Sequence, residues 1–266
     1  RPGSALIAPL LPLVHPELVA ALAARGVDAV ALDRIPRTTA AQMMDVLSSQ
    51  ATCAGYYAVL AAAAALPRFF PMLITAAGTI APAKLLVLGA GVAGLQAIAT
   101  ARRLGAVVEA FDVRRVVKEQ GESLSARFVE VEGAEDAQTA GGYAREVSAE
   151  YQRKQAEAIA RHVAKSDVCI CTALIPGRRA PILITEEMVA KMKPGSVIVD
   201  LAAEQEGNCA LTQRGLTVVQ HGVTIIGALD VPSNLAVHAS QMYSRNVERL
   251  LLHLSRDGAL RLDQED

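Results

Sequence analysis

The chain has 266 residues, 52% of them hydrophobic and 3% aromatic, with no Trp; that is enough to bury one large core or two modest ones, about 1.8 domains at ~150 residues each. Twenty-six Lys and Arg balance 27 Asp and Glu at a formal net charge of -1, and with only four Phe and five Tyr the chain lacks the basic footprint and stacking groups of a nucleic-acid binder, so no nucleic acid is expected as partner. Mean hydropathy is +0.30, yet Ser48, Ser49, Gln50, Pro67, Pro71 and Pro82 interrupt the least charged stretch, leaving no run of ~20 clean apolar residues to span a bilayer.

The chain opens at Arg1-Pro2-Gly3 with neither an initiator Met nor a signal segment, and so reads as a portion of a longer protein. An apolar run at 5–11 predicts a strand. His15-Pro16-Glu17-Leu18 then opens an amphipathic helix that stops at Gly26, and 27–32 predicts a second strand. After a loop at 33–37, Thr38 or Thr39 is placed to cap a long helix running through Gln42, Asp45 and Ser48 toward the alanine tract at 61–65.

From Lys84 the pattern becomes regular. It predicts strands at 85–88, 107–111, 168–172, 196–200 and 223–226, a short strand at Phe128-Val129, a helix ending at Leu104 and another from Arg114. Strands alternating with helices argue an α/β protein with a doubly wound parallel sheet. The insert at 130–142 is acidic, carries glycine and has no apolar periodicity, which predicts a mobile surface loop. Val231-Pro232-Ser233-Asn234 turns the chain into a last helix at 240–254 that returns to the first lobe. The expected organisation is a central domain at 47–227 and a discontinuous outer lobe formed by 1–46 and 228–266.

Gly89-Ala90-Gly91-Val92-Ala93-Gly94 follows an apolar strand and opens a helical pattern, the context in which G-x-G-x-x-G binds a dinucleotide. Gly89 permits the tight turn, Gly91 lets backbone amides approach a pyrophosphate at the helix N-terminus, and Gly94 lets helix and strand pack closely. Asp112 closes the next strand, where a carboxylate accepts both adenosine ribose hydroxyls and repels a 2′-phosphate. This favours NAD over NADP, although Arg114 is near enough to accommodate a 2′-phosphate. FAD or another adenine ligand stays open.

Gln42, Asp45 and Ser48 recur every third residue, so on a helix starting near Thr39 they share one flank, with Arg37 able to fold back from the loop. These groups suit a carboxamide and ribose hydroxyls. An ordinary polar helix face with a capping acid fits the spacing equally. The cysteines at 53, 169, 171 and 209 lack the second pair that zinc needs, and His15, His162, His221, His238 and His253 form no i,i+4 pair, so no metal is expected. The thiols read as small core residues in a reducing compartment.

Taken together, Arg37-Thr-Thr-Ala-Ala-Gln42-Met-Met-Asp45-Val-Leu-Ser48, the run Gly89 to Gly94, Asp112-Val113-Arg114, Gly141-Gly142-Tyr143, Thr172-Ala173-Leu174-Ile175-Pro176-Gly177 and Asp200-Leu201-Ala202 closely resemble the NAD(H)-binding domain I of proton-translocating nicotinamide nucleotide transhydrogenases. The resemblance implies a Rossmann sheet with a second, discontinuous α/β lobe, incomplete here because the family's domain extends further at its N-terminus. It implies Arg37, Gln42, Asp45 and Ser48 as the residues that position the reaction. Arg37, Thr38, Thr39, Gln42, Met43, Met44 and Asp45 would contact the nicotinamide end, in a cleft between lobes. Gly89, Gly91, Val92 and Gly94 would meet the pyrophosphate, and Asp112, Val113 and Arg114 the adenosine. Gly142, Gln155 and Leu174 would complete the pocket, with Tyr143 on the mobile loop.

The same resemblance implies NADP(H) on a partner domain or subunit, a membrane-spanning proton-channel subunit, a homodimer, and a cytoplasmic position on the inner membrane's cytoplasmic face through those partners. Alanine dehydrogenases share the two-lobed fold and are the alternative. They need Lys, His and Asp for proton transfer, whereas this chain aligns Leu11 with their histidine and Glu204 with their acid, and Glu206 replaces a glycine of both families. Hydride passing between two nicotinamides moves no proton at the reacting carbons, so positioning to ~3–3.5 Å is what the site must supply.

Overall fold

The computed structural model describes residues 1–131, 148–175, 177–256, 259–260 and 262. In chain order the elements are β1 (Ala5–Ala8), α1 (Pro16–Ala24), β2 (Asp28–Ala31), α2 (Val46–Ala65), β3 (Leu73–Thr75), β4 (Gly78–Ile80) and β5 (Lys84–Leu88). There follow α3 (Val92–Arg103), β6 (Val107–Phe111), α4 (Arg115–Ser123), β7 (Arg127–Phe128), α5 (Ala149–Val163), β8 (Val168–Cys171) and α6 (Glu186–Ala190). The last are β9 (Val197–Asp200), β10 (Thr217–Gln220), β11 (Val223–Gly227), α7 (Ala236–Leu254), β12 (Ser255–Arg256) and β13 (Ala259–Leu260).

The chain divides into two compact units, Arg1–Ala51 with Leu235–Asp266, and Thr52–Asn234. The changes of unit fall later than the expected positions after 46 and 227, and side-chain contacts give the reason at the first of them. The opening turns of α2 are bonded to α7: Ser49 Oγ donates to Asn246 Oδ1 at 2.7 Å, and Gln50 Nε2 donates to the Ala239 carbonyl at 3.1 Å.

The second unit carries a seven-stranded sheet in the order β10-β11-β9-β8-β5-β6-β7, parallel throughout except where β10 runs antiparallel to β11. It is the α/β, doubly wound Rossmann sheet expected. The chain builds outward from β5 to β7, then returns to lay β8 on the other side of β5, so the switch of direction lies between β5 and β8. Strand composition explains the burial. β8 and β9 are buried at every residue and β5 at all but Lys84, as strands covered on both faces must be. Alternation splits them between two cores: Leu85, Val87, Val168, Ile170, Val197 and Val199 enter one, and Leu86, Leu88, Cys169, Cys171 and Ile198 the other.

The first unit has a parallel two-stranded sheet, with Ala5 opposite Asp28 and Ala8 opposite Ala31. Its small core gathers Leu32, Ala41, Met44, Val46 and Leu250. The first strand ends at Ala8 rather than at residue 11, because Pro9 has no N–H to continue a ladder; the Leu10 and Leu11 amides turn instead to Asp33 Oδ1, at 2.7 and 3.1 Å.

Two elements were not expected from the sequence: the antiparallel β3–β4 hairpin and the edge strand β10. The expected loop at 130–142 lies outside the described residues from 132 onward. Among the described residues no helix is long and apolar enough to cross a membrane.

Candidate functional site

The glycine turn joins β5 to α3. Gly89 has φ +92, and a Cβ there would strike Thr172 Oγ1 at 2.8 Å and the Ala173 nitrogen at 2.9 Å. A Cβ on Gly94 would overlap the Gly89 carbonyl at 2.0 Å, which is how close helix and turn run. Above Gly91 the space is open: among the described residues a Cβ would meet only Arg114 Nη2, at 3.6 Å. Gly91 is also the N-cap of α3 and offers no side chain to its first turn, so the free amides of the helix start face that space.

Asp112 stands at the end of β6, beside the turn. Its Oδ2 accepts from the Ala90 amide at 2.7 Å and from Arg114 Nη2 at 2.7 Å, and its Oδ1 from the amide and Nε of Arg114 at 2.9 and 2.8 Å. The hydrogen bonds to Asp112 push the Arg114 guanidinium still higher than its usual value. Val113, between them, packs partly buried against the second core.

At the neighbouring strand ends, Thr172 Oγ1 donates to the Gly89 carbonyl at 2.6 Å, fixing the turn from the side of β8. Leu174, two residues on, is 40% exposed, and Gln155 lies half-buried on α5. Asp200, at the end of β9, is fully buried and accepts from Ala202 N, Asn208 N, Cys209 N and Thr212 Oγ1 at 2.6–3.0 Å. Burial pushes its carboxyl above the usual carboxylate range, and those four donors oppose the shift. Asn208 is buried too: its Nδ2 donates to the Ala173 and Pro181 carbonyls and its Oδ1 accepts from Ala173 N. Thr172 and Asn208 were not among the expected site residues; a lone Thr and a lone Asn carry no spacing signal. Gly142 and Tyr143 lie outside the described residues.

In the first unit the expected continuous helix from Thr39 is corrected. Residues Gln42–Met44 form a tight 3₁₀ turn, and Asp45 is extended at ψ 93, so α2 begins only at Val46. The cause is the Asp45 carboxylate, which accepts from the Ser48 amide at 2.9 Å and from Ser48 Oγ at 2.5 Å, an N-cap that stops the helix from running backward. Thr38 Oγ1 caps only the turn before it, accepting from Ala41 N at 3.3 Å. Asn246 Nδ2 holds the 3₁₀ turn by donating to the Met43 carbonyl at 2.8 Å. Arg37, Thr38, Thr39, Gln42 and Met43 are exposed, Asp45 is buried, and the Met44 side chain enters the small core.

All four cysteines are free and buried. Burial pushes the Cys169, Cys171 and Cys209 thiols up, so they stay protonated. Among the described residues no three His, Cys, Asp or Glu side chains gather to hold a metal. His162 Nδ1 pairs with Glu109 Oε2 at 2.7 Å, and His15 and His221 pair with Glu17 and Glu186, each at 3.2 Å.

Residues 58–266 match the family described as alanine dehydrogenase/PNT, C-terminal domain. The chain is 52% identical over 260 residues to an NAD(P) transhydrogenase subunit alpha polypeptide of Rhodospirillum rubrum, covering 97% of this chain and 68% of that protein. The crystal structure of transhydrogenase from Sinorhizobium meliloti superposes with a TM-score of 0.89 at 49% identity, over all of this chain and 72% of that one. Similarity to the alanine dehydrogenase of Bacillus subtilis is lower, 29% identity over 242 residues, 87% of this chain and 57% of that protein.

Proposed function

Because the chain belongs to the alanine dehydrogenase/PNT family, and within it is related over nearly its whole length to transhydrogenase alpha subunits, we propose that it is the NAD(H)-binding component of a proton-translocating, Re/Si-specific transhydrogenase. The observation that carries the reading is the open, uncapped helix start behind Gly91 with an acid closing the adjacent strand. That cradle fits a dinucleotide: amides for the pyrophosphate, a carboxylate for the ribose, and no Cβ in the way.

The nucleotide-binding roles follow the elements. Gly89, Gly91, Val92 and Gly94 take the pyrophosphate, Asp112, Val113 and Arg114 the adenosine, and Gln155, Leu174, Gly142 and Tyr143 complete the enclosure. Arg37, Thr38, Thr39, Gln42, Met43, Met44 and Asp45 serve the nicotinamide end. NADH, when bound, supplies the hydride, and NADP+ on a partner domain or subunit accepts it.

Within this chain Arg37, Gln42, Asp45 and Ser48 position rather than exchange protons. The Asp45 carboxylate is held by Ser48 and stays an acceptor. Gln42 is a neutral, exposed amide with both a donor and an acceptor to offer a carboxamide. A membrane-spanning partner subunit carries the proton path. The chain works as a homodimer at the cytoplasmic face of the inner membrane through these partners.

The test is hydride exchange between NADH and the acetylpyridine analogue of NAD+, in the presence of NADP and the partner domain. Gln42→Asn, which retracts the amide by one methylene, is expected to slow exchange roughly 10–100-fold through lost alignment. An unchanged rate would remove Gln42 from the site. Turnover of pyruvate, ammonia and NADH without any partner would replace the whole reading with an alanine dehydrogenase.

A further inference from the structure

The carboxylate meant for the ribose is already in use. Asp112 offers two oxygens, and each accepts two hydrogen bonds: Oδ1 from the Arg114 amide and Nε, Oδ2 from the Ala90 amide and Arg114 Nη2. An ionised carboxylate has about four acceptor sites, so none is left for a hydroxyl. The pair is also shielded, with side-chain exposures of 12% for Arg114 and 5% for Asp112.

A ribose can reach Asp112 only if two of these donors withdraw. The Ala90 amide is fixed in the glycine turn and the Arg114 amide in the backbone at the start of α4. The guanidinium hangs on rotatable bonds, and it supplies two of the four donors, the number a ribose diol would replace. Its position also says where it goes. Among the described residues Nη2 is the only atom within 4 Å of where a Gly91 Cβ would lie, so the cation hovers at the rim of the space into which the α3 amides point.

We infer that Arg114 is an exchangeable ribose surrogate: when the dinucleotide enters, the guanidinium releases both Asp112 oxygens to the ribose hydroxyls and turns to the diphosphate above Gly91. The inference rests on the NAD(H) reading proposed above. The charge arithmetic favours the exchange, because the guanidinium trades one carboxylate for the two negative charges of a diphosphate while the carboxylate keeps four partners. It also sharpens selectivity. Once the cation is committed to the diphosphate, a 2′-phosphate meets Asp112 alone and is repelled.

The two halves of the exchange can be separated with fragments of the ligand. Adenosine carries the ribose and no phosphate; inorganic pyrophosphate carries the charge and no ribose. Both are titrated by NMR into the full chain, as wild type, Arg114→Ala and Arg114→Lys, with NADH titrated into the wild type. Arg114→Ala is expected to bind adenosine about fivefold more tightly, one net hydrogen bond's worth, and pyrophosphate at least about tenfold more weakly. Arg114→Lys keeps the charge without the two-point fork, so it should gain adenosine affinity while holding pyrophosphate, and it preserves the test if the alanine variant does not fold. Adenosine affinity unchanged or lowered in both variants would overturn the exchange, as would pyrophosphate binding that survives Arg114→Ala. Failure of the wild type to bind NADH would overturn the NAD(H) reading itself, and the inference with it.

Discussion

Glu206 sits in the left-handed region at φ 72, capping the short 3₁₀ turn after β9. That conformation costs a residue with a Cβ about 1–2 kcal/mol and costs glycine almost nothing, which accounts for the glycine expected there by resemblance. The Glu206 carboxylate meets Arg179 Nε at 2.8 Å, but both side chains are more than 60% exposed, and an exposed pair contributes little. Glu206→Gly is therefore expected to stabilise the fold by about 0.5–1 kcal/mol in urea unfolding, after the added entropy of the unfolded glycine is subtracted. Destabilisation would mean that the ion pair outweighs the backbone strain. At this scale the sequence was a partial guide. The glycine spacing and Asp112 were legible because a backbone turn and a strand end impose them. The Arg114 clamp was not, because whether a nearby arginine folds onto its neighbour is decided by rotamers, and spacing carries no rotamer.

At the scale of elements, α2 and α3 of the second unit touch through backbone. A Cβ added to the buried Gly55 would lie 2.0 Å from the Ala93 carbonyl oxygen and 2.8 Å from its carbon. Neither atom belongs to a side chain that can swing aside, so Gly55→Ala must push the helices apart. The gain in helix propensity, under about 1 kcal/mol, does not offset overpacking, and a net loss of about 1–3 kcal/mol is expected in thermal or urea unfolding. A neutral or stabilising result would show that the helices separate without cost. Most elements of the parallel sheet were readable as unbroken apolar runs, since strands covered on both faces need no polar alternation. The start of α2 was misread for a definite reason: Asp45 three residues before Ser48 fits a helix flank and an N-cap equally well, and only the ψ of Asp45 separates them. The β3–β4 hairpin and β10 escaped because strands of three or four residues carry too few positions for a period to show.

Over the whole molecule, the two units differ in how they hold their strands. In the second, β5, β8 and β9 are inner strands lined by two cores. In the first, no residue of β1 or β2 is fully buried. Native-state hydrogen exchange should register this as protection at least about a hundredfold higher for the amides of β5, β8 and β9 than for those of β1 and β2, because poorly buried segments open locally. Equal protection would mean that both units open only together. The doubly wound architecture was legible from the order of strands and helices, since right-handed crossovers leave few ways to arrange them. The unit boundaries were less so, because the bonds from Ser49 and Gln50 to α7 join residues nearly two hundred positions apart.

One side chain extends the sheet past the point where its backbone ladder stops. Asn208 gives Ala173 a donor and takes one from it, at 2.9 and 3.0 Å, the reciprocal exchange that two facing peptide groups make. Its amide thus counterfeits a peptide unit and adds a rung beyond Cys171, the last residue of β8. The chain can then leave the plane of the sheet at Leu174 from an anchored position, and the opening beside Thr172 and Gly89 keeps its shape with no further strand to frame it.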